Sequence, residues 1–115
     1  MLRQLLKSKI HRAVVTDANV HYEGSITIPE DLMQAADLWE GEKVLVASIS
    51  SGSRLETYVQ KGPSGSGAIV INGGAAHLIH KGELVSIMGF ALSETAVTPK
   101  RILCDPLNHI IGSAR

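Results

Sequence analysis

Short apolar runs separated by turn-forming residues are the feature that most limits how this chain of 115 residues can fold. The runs are rich in Val, Ile and Leu, and Gly, Pro, Asn, Asp or Ser stands between them. Runs of this length and composition are typical of β-strands. We therefore expect strands at residues 9–16, 25–28, 44–49, 55–59, 68–71, 84–88 and 101–104.

One stretch has a helical pattern instead. Pro29 suits the first helical position, where its missing N–H has no partner in any case, and Glu30 and Asp31 suit the positive end of the helix dipole. Gly41 is the expected end of the helix. Apolar residues that recur at helical spacing, together with Met33, are expected to pack in the core or an interface: Leu32, Ala35, Ala36 and Trp39.

The connections are short. Turns are expected at residues 17–19, 51–53, 62–67, 72–74 and 81–83, and residues 75–79 have room for one helical turn. Short strands at close spacing with a single clear helix predict a mainly β domain, built as a small barrel or sandwich. The length indicates one domain, residues 1–115.

Composition excludes several classes of protein. Lys and Arg number 11, as do Asp and Glu, so a general electrostatic affinity for nucleic acid or an anionic membrane is not expected. Cys104 is the only cysteine, which excludes an intrachain disulfide. No apolar run is long enough to span a bilayer and the N-terminus lacks a signal-peptide pattern, so we expect a soluble cytoplasmic protein.

The common catalytic motifs are missing. His77 and His80 are three residues apart, but no carboxylate or cysteine stands at a recognised ligand spacing from them, so no metal site is predicted. The glycines and serines of residues 64–67 do not lie between a strand and a helix, as a hydrolase nucleophile would. Neither the Walker A nor the Rossmann glycine pattern, both of which bind phosphate groups, is present.

The pair Gly24-Ser25 stands directly before a β-like run. A glycine carbonyl is unhindered, so the following serine hydroxyl can attack it and convert the amide into a weaker ester bond. Taken alone, the pair is more typical of a plain turn. Its neighbours decide between the two interpretations.

Other residues have side chains or backbone suited to a binding site. Small residues at 72–76 leave backbone N–H groups uncovered, although an ordinary turn has the same composition. Lys9, Arg12 and Arg54 can pair with carboxylates. Thr57 and Tyr58 lie on opposite faces of a strand, so only one would point into a given pocket unless the strand bends or two chains share the site. Tyr58 is a possible proton donor.

Four segments in this order resemble the pyruvoyl-dependent aspartate 1-decarboxylases: Lys9-Ile10-His11-Arg12, residues 16–25 ending in Tyr22-Glu23-Gly24-Ser25, residues 52–58 ending in Arg54-Leu55-Glu56-Thr57-Tyr58, and Asn72-Gly73-Gly74-Ala75-Ala76-His77. The resemblance holds in register over about residues 1–90. It implies a double-psi β-barrel with one or two short helices, assembled as a homotetramer with sites between subunits.

The resemblance also implies self-cleavage. Ser25 would attack the Gly24 carbonyl, and elimination and hydrolysis would leave a pyruvoyl group at residue 25. The products would be residues 1–24 and residues 25–115. This covalent cofactor would bind L-aspartate as a Schiff base and release β-alanine for pantothenate synthesis, without pyridoxal phosphate or metal. A separate processing protein is a possible partner.

Further roles follow from the resemblance alone. Lys9 and Arg54 would hold the substrate carboxylates, Tyr58 would return the proton, and Thr57 would serve self-processing and substrate contact. Backbone groups near the substrate would come from Gly73, Gly74 and Ala75, beside Asn72, with His11 and Tyr22 lining the site.

Three residues depart from the family pattern. Gly74 replaces the usual alanine, Ser86 interrupts an apolar run, and Ala47 is small where a bulkier residue is common. Residues 89–100 look shortened, and the tail after Arg101 matches only loosely. A diverged decarboxylase acting on a relative of aspartate is therefore one alternative. The others are an unprocessed barrel that only binds, and a β-rich DNA-binding dimer.

Overall fold

The computed structural model describes residues 1–113, which contain nine strands, one α-helix and one 3-10 helix. The strands are β1 (Arg3–Val14), β2 (Asp17–Asn19), β3 (Ser25–Pro29), β4 (Lys43–Ser48), β5 (Arg54–Gly62), β6 (Val70–Asn72), β7 (Leu84–Ser93), β8 (Lys100–Cys104) and β9 (Ile110–Gly112). Helix α1 spans Glu30–Ala36, and the 3-10 helix spans Gly73–His77. Within residues 1–113, no helix is long and apolar enough to cross a membrane.

The strands join in the order β2-β6-β3-β5-β4-β7-β1-β8-β9. Strand β1 lies between antiparallel β7 and parallel β8, and β3 lies between parallel β5 and antiparallel β6. The prediction of a mainly β fold is confirmed, and this mixed pairing around one core fits the double-psi β-barrel.

The core is aliphatic, in keeping with apolar runs that are rich in Val, Ile and Leu. Ile10, Val46, Ile71 and Ile87 come from four different strands and have no exposed surface. Helix α1 adds Leu32, Met33 and Ala36 to the same cluster. Cys104 is also buried here, and burial raises the pKa of its thiol to about 11, with Asp105 and Asp31 adding to the shift.

Residues 17–19 are a strand, so the predicted turn is wrong. Strand β2 pairs in parallel with β6, with Asp17 opposite Val70 and Asn19 opposite Asn72. Asp and Asn favour turns through local hydrogen bonds, but here the edge of the sheet supplies backbone partners for them. Being at the edge, β2 exposes its two polar side chains to solvent.

Helix α1 ends earlier than predicted. Asp37 has φ of 58°, the left-handed conformation that terminates helices, so the helix stops well before Gly41. Trp39 lies beyond the end and is 77% exposed, so it is not part of this chain's core. At the other end Pro29 closes β3 and caps the helix, one position before the place predicted for it.

The sheet also extends beyond the predicted runs. Strands β1 and β7 pair from Arg3–Ser93 to Val14–Leu84, well outside their apolar segments. Strand β9, with all three residues exposed, was not predicted. Polar and exposed strand ends carry little hydrophobic periodicity, so pattern reading misses them.

Candidate active site

One surface of the sheet carries several of the predicted site residues. Ala47 is opposite both Arg54 and Ser86, and Leu45 is opposite Met88, which is in turn opposite Lys9. Because directly paired residues point to the same side of a sheet, these side chains share one surface. We call this surface of β1, β7, β4, β5 and β3, directed away from the core, the outer face.

His11 lies on the outer face with its Nδ1 2.9 Å from Oγ of Ser86. Burial lowers the pKa of His11 below 6.5, and the positive charges of Lys9 and Arg12 lower it further. The imidazole is therefore neutral at pH 7, and one of its nitrogens is engaged by the serine that departs from the family pattern.

Ser25 lies further along the same face. Its neighbour Ile26 pairs with Val59 and Ile71, all three fully buried in the core. By the two-residue period of a strand, Ser25 and Thr27 point the opposite way, on the side of Tyr58 and Gln60. Ser25 nevertheless has no exposed surface, and its hydroxyl contacts the side chains of Gln60 and Asn72.

The Ser25 hydroxyl is held by two amide side chains. Its Oγ donates to Oε1 of Gln60 at 2.9 Å and accepts from Nδ2 of Asn72 at 3.0 Å. The same Nδ2 donates to Oγ1 of Thr27 at 3.1 Å. Glu23 O is a more distant acceptor at 3.4 Å. The hydroxyl is thus fixed in direction at the peptide bond where cleavage is expected.

Gly73 packs against the backbone on the other side of this bond. Its φ is +77°, and a Cβ at this position would lie 2.7 Å from Cα of Gly24 and 3.1 Å from the Tyr22 carbonyl oxygen. The chain approaches its own backbone here as only glycine permits. At Gly74, by contrast, a Cβ would meet nothing within 4 Å, so the alanine usual in the family would fit.

A cleft of about 550 Å³ is lined by Gln60 and Glu23, the two residues that offer acceptors to the Ser25 hydroxyl. Its walls include Tyr22, Glu23, Glu40, Tyr58 and Gln60. The described residues that line it provide two carboxylates and neither Lys nor Arg. Within one chain the cleft therefore lacks the cations that a substrate with two carboxylates needs.

Comparison with known proteins gives the family of this chain. A family model described as aspartate decarboxylase matches residues 1–111. The chain belongs to the aspartate decarboxylase family. A curated relative, the aspartate 1-decarboxylase of Acetivibrio thermocellus, is 53% identical over 116 residues, covering 97% of this chain and 92% of that protein.

Membership of the aspartate decarboxylase family confirms the resemblance drawn from the four sequence segments. It also rules against the alternative of a DNA-binding dimer. Among residues 1–113, no group of three or more His, Cys, Asp and Glu side chains is placed to hold a metal ion.

Two groups of predicted site residues remain apart in the single chain. Arg54 and Tyr58 are four residues apart on β5, which corresponds to about 13 Å along a strand. Lys9 is three strands away from β5, or about 14 Å across the sheet. Thr57 faces the opposite side of β5 from Tyr58, opposite the buried Val44. Ser25, Asn72 and Tyr58 (the Ser25 group) therefore lie apart from Lys9 and Arg54 (the cationic group) within one chain.

Gln60 was not anticipated. A glutamine in a strand has no chemical signature of its own, and the segment that carries the family resemblance ends at Tyr58. The signal that would have found it is the strand period, which places Gln60 on the same face as Tyr58, two residues earlier.

Proposed function

We propose that this chain converts L-aspartate to β-alanine and CO2 with a pyruvoyl group made from its own Ser25. One observation carries the proposal. Ser25, which directly follows Gly24, is buried, and its hydroxyl accepts a hydrogen bond from Asn72. Gly24 supports it further, because its Cα bears no side chain and a Cβ there would meet nothing within 4 Å. The peptide bond between Gly24 and Ser25 is therefore open to attack by the Ser25 hydroxyl.

Self-cleavage on this proposal begins with a bond from Ser25 Oγ to the Gly24 carbonyl carbon. The bond between that carbon and the Ser25 nitrogen breaks, and the hydroxyl proton ends on the nitrogen. Elimination across the Ser25 Cα–Cβ bond then releases residues 1–24 as a carboxylate. Hydrolysis of the remaining dehydroalanine releases ammonia and leaves the pyruvoyl ketone at the start of residues 25–115.

The residues around position 25 fit such a group. Asn72 is 4% exposed and keeps an amide donor at this position, and the small residues Gly73, Gly74 and Ala75 offer backbone groups nearby. The pyruvoyl ketone supplies the electron sink that decarboxylation of an amino acid requires. Its burial at residue 25 would keep bulk water away from the reacting atoms.

Substrate binding and proton transfer are assigned to the outer face. Lys9 and Arg54 bind the two carboxylates, Arg54 through paired donors. Tyr58 is 43% exposed at the cleft, so its hydroxyl is accessible to return a proton to the substrate. Tyr22 lines the same cleft, and neutral His11 lies on the outer face bonded to Ser86. Thr57 contributes to processing and substrate contact.

These roles require more than one subunit. The two carboxylates of aspartate are separated by only two carbons, so the Ser25 group and the cationic group must come together around it. We propose that they do so between neighbouring subunits of a homotetramer. The exposed apolar side chains of Trp39, Phe90 and Leu92 support such an assembly. A cytoplasmic location is proposed with it.

Intact-mass spectrometry of the purified chain tests the central claim. We expect two fragments divided after Gly24, the second beginning with a carbonyl group in place of an amine. Ser25→Ala should abolish both cleavage and decarboxylation. A wild-type chain that stays whole without a second protein, and cleaves when cell extract is added, would show that a processing partner is needed. A chain that stays whole in both conditions would favour the unprocessed binding module.

A second candidate substrate is favoured by one observation. Ala47 lies between Arg54 and Ser86 on the outer face, and its small side chain leaves room beside the proposed carboxylate-binding Arg54. The Ser86 hydroxyl adds a polar group there. A larger or more polar relative of aspartate would fit this change. Parallel assays of aspartate, glutamate and cysteine sulfinate decide the matter, and exclusive turnover of aspartate would exclude the alternative.

A further inference from the structure

We propose that Gln60 is a positioning residue for self-cleavage, holding the Ser25 hydroxyl so that one lone pair is free to attack the Gly24 carbonyl. The role rests on the proposed function, because it concerns the same hydroxyl. It assigns to Gln60 a task that the resemblance to the decarboxylase family does not.

The direction of the hydrogen bonds around Ser25 follows from counting donors. Nδ2 of Asn72 has two hydrogens, which go to Ser25 Oγ at 3.0 Å and Thr27 Oγ1 at 3.1 Å. Ser25 therefore accepts from Asn72, and its own hydrogen must go elsewhere. Oε1 of Gln60, at 2.9 Å, is the better placed of its two acceptors, since Glu23 O is at 3.4 Å.

This arrangement leaves Ser25 Oγ ready for attack. A hydroxyl oxygen has one hydrogen and two lone pairs. The hydrogen is donated in a hydrogen bond to Gln60, and one lone pair accepts a hydrogen bond from Asn72. The second lone pair remains free to attack the neighbouring carbonyl carbon. Without Gln60, the nearest remaining acceptor for the hydrogen is Glu23 O, at the longer distance of 3.4 Å. The hydroxyl would then be less well fixed.

Gln60 orients the proton and does not remove it. A neutral amide oxygen is too weak a base to hold a proton, so the hydroxyl proton still ends on the Ser25 nitrogen when the C–N bond breaks. The contribution of Gln60 is a single neutral hydrogen bond, which sets the scale of its effect at roughly 2- to 10-fold in rate.

The strand holds Gln60 in place. Thr27 on β3 is opposite Gln60 on β5, within a parallel ladder that also joins Ile26 to Val59. The next residue, Lys61, has its N–H bonded to Oε2 of Glu40 at 3.0 Å. A side chain on a paired strand keeps its direction better than one on a loop, as positioning requires.

The test follows cleavage of freshly made full-length chain over time, using cell-free synthesis and intact-mass spectrometry. Gln60→Leu has similar volume but no acceptor, and we expect cleavage about 2- to 10-fold slower than wild type. Gln34→Leu makes the same replacement on the exposed side of α1 and should keep the wild-type rate. Thermal unfolding of each variant checks that it folds.

Gln60→Glu adds a readout that a structural role would not produce. Its carboxylate accepts the hydroxyl hydrogen bond more strongly and is basic enough to take the proton. The cleavage rate of this variant should rise with pH as the new carboxyl group ionises, a step absent from wild type. This variant preserves the size of the side chain, so it carries the test if Gln60→Leu fails to fold.

The outcomes separate the two proposals. A wild-type chain that never cleaves overturns both the proposed function and the role of Gln60. A wild-type chain that cleaves, with Gln60→Leu cleaving equally fast and Gln60→Glu showing no added pH step, overturns the role of Gln60 alone. Equal slowing by Gln34→Leu would also overturn it, because the effect would then not belong to the Ser25 site.

Discussion

At the scale of residues, Gly73 and Gly74 are neighbours with opposite requirements. Gly73 has a left-handed φ of +77° and touches the backbone of Gly24, whereas Gly74 faces open space. A side chain at the first position is both strained and obstructed. The pair therefore provides a matched test of how tightly the cleavage segment is packed.

Gly73→Ala should lower the free energy of unfolding by about 1–3 kcal/mol, because it combines backbone strain with a contact that must shift. Gly74→Ala should leave it unchanged or raise it by about 0.4–1 kcal/mol, since alanine reduces the entropy of the unfolded chain. Urea unfolding of both variants in the Ser25→Ala background measures this without interference from cleavage. Equal destabilisation by the two changes would contradict the assigned packing.

His11 makes folding depend on pH. Its pKa is lowered in the folded chain, chiefly by burial and then by Lys9 and Arg12. The unfolded chain therefore binds more protons as the pH falls through about 6.5, and stability decreases from there down to the lowered folded-state pKa. We expect an NMR titration of His11 to give a midpoint below 6.5, and His11→Asn to lose this part of the pH dependence. A midpoint above 6.5 would contradict the assignment.

At the scale of elements, β5 joins the parts of the proposed site. It presents Arg54, Tyr58 and Gln60 on one face and pairs with β4 on one side and β3 on the other. Helix α1 lies beside this arrangement and ends at Asp37, whose carbonyl oxygen accepts from Lys7 Nζ and Ser8 Oγ. The end of the helix is thus hydrogen-bonded to β1, the strand that carries Lys9, which is proposed to bind a substrate carboxylate.

Asp37→Gly should stabilise the protein by about 0.5–1 kcal/mol, because glycine adopts the left-handed conformation without steric cost. The contacts to Lys7 and Ser8 use the backbone carbonyl, so the substitution keeps them. Asp37→Ala is the matched control and should not stabilise. Thermal and urea unfolding give the sign, and stabilisation by alanine as large as by glycine would refute the explanation.

Some of the strands and helices could be predicted from the sequence alone, and others could not. Strands β3, β4 and β5 and the start of α1 were predictable, because apolar periodicity and terminal charges act locally. Strand β2 was not, because its pairing with β6 overrides the turn propensity of Asp17 and Asn19. Ser25, Asn72 and Gly73 were predicted from the family motifs, whereas the role proposed for Gln60 rests on a hydrogen bond across 35 residues.

At the scale of the whole molecule, the separation of the Ser25 group from Lys9 and Arg54 predicts complementation between subunits. Ser25→Ala and Arg54→Ala should each be inactive alone. When the two variants are co-expressed, mixed assemblies combine an intact Ser25 from one chain with an intact Arg54 from its neighbour. We expect decarboxylation to be partly restored, measured as β-alanine formation.

Mixing the two proteins after separate purification is the control, since assembled subunits should exchange slowly. A co-expressed pair that stays inactive while Arg54→Ala still cleaves would contradict a site shared between subunits. A pair of Ser25→Ala and Tyr58→Phe chains then tests whether the proton donor belongs to the same subunit as the cofactor.

The central place of β1 has a consequence for the chain after cleavage. Residues 1–24 would include all of β1, which pairs with both β7 and β8 and buries Ile10 and Ala13 completely. After the cut, residues 1–24 would stay paired within the barrel. The fold would be unchanged, but folding would change from a unimolecular to a bimolecular process. The precursor folds as one chain, whereas the mature protein would need two fragments to meet. Refolding of a denatured mature subunit would therefore depend on protein concentration, whereas refolding of the precursor would not.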